Sequence, residues 1–141
     1  MDVSSLANLD GTWGGSWFTY LEPGKPFDES WLTVVGTVTG STARLVYSGS
    51  IGDDDVDGSM ELTVDPMGST ILWTDSWHTA GNTERLTADA DDDPSYLYGP
   101  QDDRWRWAIR IEAEPDSLRI THFNAPAGAD PEIAVEMKLD R

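Results

Sequence analysis

From Gly11 to the final Arg141 the chain keeps returning to a two-residue period, and few folds accept that pattern over most of 141 residues. Thr12 to Tyr20 places Trp13, Gly15 and Trp17 on one phase and Ser16, Phe18 and Tyr20 on the other. Trp105, Trp107, Ile109 and Ile111 alternate with Arg106, Ala108, Arg110 and Glu112. Leu118, Ile120 and His122 share a phase, as do Ile133, Val135, Met137 and Leu139. Successive side chains of a strand point to opposite faces, so this pattern describes strands with one dry face and one wet face.

Turn residues punctuate the strands every 8–12 residues or so, as in a sandwich or barrel. Glu22-Pro23-Gly24-Lys25-Pro26, Gly40-Ser41, Asp53 to Gly58, Asp65-Pro66-Met67-Gly68, Gly99-Pro100 and Asn124 to Pro131 are the expected turns. About nine or ten strands result, and connections this short make them antiparallel. Ser4 to Asn8 is expected to form one helical turn that plugs an end. The chain reads as a single domain, with residues 1–10 as a lead and 11–141 as the barrel.

The two ends decide between sandwich and barrel. Arg141 lies on the phase of Met137 and Leu139 and is expected to point inward. A charge on that face needs a partner, and the indole of Trp13 offers one through a cation–π contact of about 0.5–2 kcal/mol. The contact requires the first and last strands to be neighbours, which closes the sheet and removes its edges. Trp13 and Arg141 are therefore the expected closure pair of an all-β, antiparallel, up-and-down barrel.

Composition narrows function mainly by exclusion. The chain carries 26 acidic and 9 basic residues, a formal net charge of −17. That field repels phosphate backbones and acidic membrane surfaces. It fits a solubility device and equally a salt-rich cell interior that screens the repulsion. There is no cysteine, so disulfides and thiolate zinc sites are excluded. The first residues lack a basic n-region and an apolar h-region, and no run of about 20 apolar residues occurs. A soluble, cytoplasmic protein is expected.

With those residues in place, the chain resembles the calycin superfamily of lipocalin-like barrels. The carriers are Leu9-Asp10-Gly11-Thr12-Trp13, Trp73-Thr74-Asp75-Ser76-Trp77-His78, Trp105-Arg106-Trp107-Ala108-Ile109, Leu118 to Asn124 and Glu132 to Glu136. More specifically, it resembles an uncharacterised bacterial lipocalin-like family of unknown function. That resemblance implies a barrel around a central cavity and no assigned activity. The nitrobindins, a neighbouring calycin group, hold haem through a His near the last strand. Here that stretch is Asp130-Pro131-Glu132-Ile133, without a His, which weighs against haem.

Seven tryptophans are many for this length. Aromatic walls with a few placed polar groups describe a ligand pocket, and large rings also simply fill a barrel of about eight strands. The first expectation is a small-molecule binder holding a hydrophobic or aromatic ligand. Trp17, Tyr47, Trp73, Trp77, Trp107 and Leu118 line the interior, with Asp75 and His122 as polar contacts. Asp75, two positions from Trp73 and from Trp77, is a ligand anchor or base, or else the inner half of an ion pair with Arg141 or Arg119. His78 falls on the outward phase and is expected at the rim.

The second expectation is an isomerase or hydrolase using Asp75 and His122 in acid–base roles. The third is a structural or interaction domain with a filled core, forming a homodimer through exposed rings such as Trp31 or Phe18. Asp53-x-Asp55-x-Asp57-Gly58 resembles the first half of a calcium loop, but Val64 stands where the chelating Glu belongs, so a solvated hairpin is the expectation. No metal and no cofactor is expected.

Overall fold

The computed structural model describes residues 3–22, 25–66, 68–88, 96–101, 105–126 and 128–141. Pro23-Gly24 and the acidic clusters Asp91 to Asp93 and Asp102-Asp103 lie outside them. A short helix, α1 (Val3–Ala7), precedes ten strands: β1 (Gly11–Glu22), β2 (Lys25–Thr39), β3 (Thr42–Ile51), β4 (Asp54–Asp65), β5 (Gly68–Asp75), β6 (Glu84–Thr87), β7 (Leu97–Gln101), β8 (Trp105–Ala113), β9 (Ser117–Pro126) and β10 (Glu132–Asp140). Each pairs antiparallel with its neighbours in sequence, and β1 pairs with β10, giving one closed up-and-down barrel. The closing register runs from Gly14 opposite Asp140 to Thr19 opposite Val135.

The end that carries α1 is sealed. Leu6 and Leu9 are fully buried there beside Trp13. The guanidinium of Arg141 lies 4.1 Å from the Trp13 ring centroid. It also donates to the carbonyls of Pro115 at 2.7 Å, Asp10 at 2.8 Å and Asn8 at 2.8 Å. Arg141 is exposed, so it caps the end of the barrel instead of entering it as its phase suggested. One side chain thus ties together the N-terminal lead, the β8–β9 turn and the last strand.

Above the cap the interior fills with Leu32, Val34, Leu45, Met60, Ile71 and Ile109, all at most 1% exposed. A second, smaller cluster lies on the outer face: Tyr98, Ala108, Phe123 and Ala125, with Tyr96 and Ile133 packed against it. Ile133 was expected inside with Val135. A register shift between the two places Ile133 opposite Phe123 and Val135 opposite His122. The extra residue of this bulge reverses the phase, and Ile133 faces outward.

Two expected turns are strand instead. Gly99 and Pro100 belong to β7, where the pairing with β8 skips between Tyr98 and Gln101. A bulge of this kind accommodates a proline that cannot donate to the ladder. The hairpin expected over Asp53 to Gly58 turns at Gly52 and Asp53, where Gly52 has φ 59°. Asp55 and Asp57 lie on β4 opposite Ser50 and Ser48, exposed on either side of buried Val56. They stand on a regular strand, not on the loop that the calcium comparison assumed.

Among the described residues, no helix is long and apolar enough to cross a membrane. The cap makes a direct prediction. Arg141→Ala loses three hydrogen bonds and the indole contact, and urea denaturation is expected to show a loss of about 1–3 kcal/mol. Arg119→Ala, on the exposed outer face, is expected to change stability by less than about 0.5 kcal/mol.

Candidate functional site

The barrel end opposite α1 holds most of the polar groups that the interior buries. It is formed where β3, β5, β8 and β9 approach that mouth, and by the loop joining β5 to β6. Tyr47 (β3), Gly58 (β4) and Asp75 (β5) are register partners across three strands. The Tyr47 ring lies across Gly58, where any Cβ would collide with it. The missing side chain lets the phenol reach Asp75. Its hydroxyl donates to Asp75 Oδ2 at 3.1 Å and accepts from Trp73 Nε1 at 2.9 Å.

Asp75 is the organiser. Its side chain is 1% exposed. Oδ2 accepts from Tyr47 and from His78 Nδ1 at 3.0 Å. Oδ1 accepts from the backbone N–H groups of Trp77 at 3.0 Å and Thr79 at 2.9 Å. The Asp75 main chain is held as well: its N–H donates to the Thr79 hydroxyl, which donates back to the Asp75 carbonyl, and the Gly81 N–H donates to the same carbonyl. The loop then turns through Ala80, at φ 51°, and Gly81, at φ 82°. A non-glycine residue in the left-handed region costs of order 1 kcal/mol and persists where its surroundings hold it.

Burial alone pushes the Asp75 carboxyl upward, but the His78 hydrogen bond, the Thr79 N–H, the nearby His78 ring and the Tyr47 hydroxyl together hold it below its ordinary value. Asp75 is therefore an ionised acceptor with about four lone-pair sites and four donors on them. Burial, and then the Asp75 charge, push the Tyr47 phenol far above its usual range, so it stays a donor. The partner expected for Asp75 was Arg141 or Arg119. Arg141 caps the far end of the barrel and Arg119 is exposed on its outer face. The partners in place are His78 and Tyr47.

His78 corrects the expectation of a simple rim residue. Its side chain is 18% exposed. Its ring centroid lies 4.1 Å from that of Trp77, 5.3 Å from Trp107, 5.4 Å from Trp73 and 5.7 Å from His122. Strand phase stops at Asp75, and the side-chain-directed loop beyond it turns His78 back over the mouth. The local signal was an Asp followed by His at the third position, Thr at the fourth and Ala-Gly after that.

His122 is 1% exposed. Its Nδ1 accepts from Trp107 Nε1 at 2.9 Å. Its Nε2 is buried and has no hydrogen-bond partner among the described residues. Burial, with the nearby His78, pushes its pKa down to about 3, against a smaller opposing pull from Asp75. The ring is neutral at physiological pH. Trp73 and Trp107 stack at 5.9 Å and 13° beside it.

Among the residues expected to line a pocket, Tyr47, Trp73, Asp75, Trp107 and His122 converge here. Trp17 joins them through an edge contact with Tyr47 at 6.3 Å, and its indole donates to the Ser50 carbonyl at 2.7 Å. Trp77 follows the end of β5 and is 43% exposed at the rim, not inside. Leu118 pairs with Leu139 and Ala113 near the sealed end, four residues along β9 from His122. That spacing is roughly 13 Å of strand, so Leu118 is core beneath the site. Asp75 and His122 do not hydrogen-bond to each other; His78 stands between them.

No family model matches the sequence, and no curated protein matches it. Among solved structures, the chain is similar to Rv2717c from M. tuberculosis, with 15% identity, a TM-score of 0.66, and coverage of 99% of this chain and 96% of that one. It is also similar to the S-type phycobiliprotein lyase CPES from Guillardia theta, with 13% identity, a TM-score of 0.59, and coverage of 100% and 93%. The fold is lipocalin-like. At these identities the likeness is one of architecture, and function has to be argued from the site.

The mouth offers two imidazoles, one oriented by a carboxylate and one by an indole, between aromatic faces. Such groups can hydrogen-bond a ligand, and the Asp75–His78 pair has the arrangement of an oriented base. Among the described residues, no three metal-ligating side chains gather.

Two outcomes follow. Below pH 6.5 the unfolded His122 takes up a proton that the folded one refuses until about pH 3, so stability falls with pH across that window by up to about 1.4 kcal/mol per unit. Asp75, with its carboxyl held low in the fold, adds to the loss as pH falls through its unfolded and then its folded value. Urea titrations of His122→Phe are expected to show a shallower loss over the same range. Gly58→Ala is expected to displace the Tyr47 ring, cost about 1–3 kcal/mol, and alter the near-UV circular dichroism.

Proposed function

We propose that the protein binds a small aromatic or hydrophobic molecule at the mouth of its barrel. The observation that carries this reading is the buried Nε2 of His122, without a partner among the described residues, in a ring that packs against Trp73 and Trp107 below the exposed rim residue Trp77. A buried polar atom without a partner costs free energy, and a ligand that supplies one recovers it. The lower interior is filled by aliphatic side chains and Trp13, so the ligand sits at the mouth and not through the length of the barrel. Trp77 and His78 form its outer wall, Trp73 and Trp107 its inner wall, and Asp75 holds the loop that carries the first pair.

The test is a titration of tryptophan emission against a panel of hydrophobic and aromatic compounds. Binding with Kd in the micromolar range is expected. Trp77→Ala is expected to weaken it about tenfold, the equivalent of 1.4 kcal/mol. A flat response across the panel removes this reading.

A second reading concerns the outer face of β1, β2 and β3. Trp31 there is 58% exposed, and Val35 and Val46, register partners on β2 and β3, are 46% and 45% exposed. Ser16, Thr33, Thr37 and Ser48 around them carry no charge. In a chain of net charge −17, this uncharged strip with an exposed indole, bordered by Glu29, Arg44, Asp57 and Lys138, is the surface on which a second copy docks with least repulsion. Analytical ultracentrifugation is expected to show a dimer that salt strengthens and Trp31→Glu dissolves. A monomer at high concentration and high salt rejects it.

A further inference from the structure

The two histidines of the mouth are held in opposite tautomers. An indole N–H only donates. Trp107 Nε1, 2.9 Å from His122 Nδ1, therefore makes that nitrogen the acceptor, and the neutral ring carries its proton on Nε2. An ionised carboxylate only accepts. Asp75 Oδ2, 3.0 Å from His78 Nδ1, therefore makes that nitrogen the donor and leaves Nε2 of the neutral ring as an acceptor. The rings lie 16° from parallel with centroids 5.7 Å apart. Trp73 and Trp107 each pack against both.

With the His78 ring uncharged, the mouth presents one donor and one acceptor between flat aromatic walls. The donor is buried and without a partner among the described residues. An apolar ring leaves both unmet. A carboxylate or phenolate has no proton for His78 and approaches the Asp75 charge inside a chain of net charge −17.

We infer that the ligand is a neutral, planar aromatic molecule bearing a hydroxyl group, whose oxygen accepts from His122 Nε2 and whose proton goes to a hydrogen bond with His78 Nε2. This rests on the reading of the mouth as a binding site and names the chemical class that the site selects.

The test is calorimetric titration of the full chain with four probes of one shape: 2-naphthol, 2-methoxynaphthalene, naphthalene and 2-naphthoate. The methyl ether keeps an acceptor and loses the proton; naphthalene loses both. The expected order is naphthol, then ether, then naphthalene, with naphthol at least about tenfold tighter than naphthalene, and naphthoate weakest. In His122→Phe the preference for naphthol over naphthalene is expected to vanish. Bound naphthol is also expected to shift the ring ¹⁵N resonances of His122 and His78 in the wild-type protein, a readout that needs no variant. Equal affinities for naphthol, ether and naphthalene overturn the hydroxyl inference and leave the binding site standing. Silence from all four probes overturns both.

Discussion

A sheet that closes on itself has a single inside, and every polar group placed there must find its partners among the strands. Closure between β1 and β10 sets that condition. It is secured at one end by the Arg141 guanidinium, which meets an indole face and three carbonyls contributed by distant parts of the chain. With that end sealed by α1 and packed with aliphatic side chains, the buried polar side chains that converge inside the ring, Asp75 and His122 with the Tyr47 hydroxyl, sit near the other end. The division of labour follows: one end holds the fold together and the other is chemically equipped.

At the equipped end the hierarchy runs through a single carboxylate. Asp75 accepts from a phenol, an imidazole and two backbone amides. Full use of its lone pairs makes it a positioning group whose influence is exerted through His78 and the loop. The ionised state that this environment favours also sets the tautomer of His78. Trp107 does the corresponding service for His122. Recognition at the mouth is therefore decided by the side chains that orient the imidazoles as much as by the imidazoles themselves.

The architecture was legible because the period-2 signal is long and the closure residues are chemically distinctive. Trp13 and Arg141 meet as their positions implied, and Tyr47, Trp73, Asp75, Trp107 and His122 share the inner face as their phases implied. Strand phase loses its meaning where the chain leaves the ladder. His78 was placed outward by a count that ends at Asp75, whereas its position is set by side-chain bonds to the loop backbone. Ile133 was placed inward by a count that runs across a bulge. Asp55 and Asp57 read as turn residues because acidic runs favour turns, yet Val56 between them supplies the buried side chain that keeps β4 in the sheet. Leu118 was assigned by face correctly and by depth wrongly, since alternation distinguishes inside from outside and carries no information about height along the barrel.

The bulge between Ile133 and Val135 has a consequence for how the last strand can be exchanged. Ile133 faces outward on one side of it and Val135, Met137 and Leu139 face inward on the other, although all four share a parity, so the strand carries a built-in frame change. A graft that swaps only its downstream portion keeps the frame, whereas one that straightens the kink turns either Ile133 into the lumen or Val135, Met137 and Leu139 out to water. The irregularity is therefore inseparable from the strand's amphipathic code, and any transplant of this strand must take residues 132–135 along as one unit.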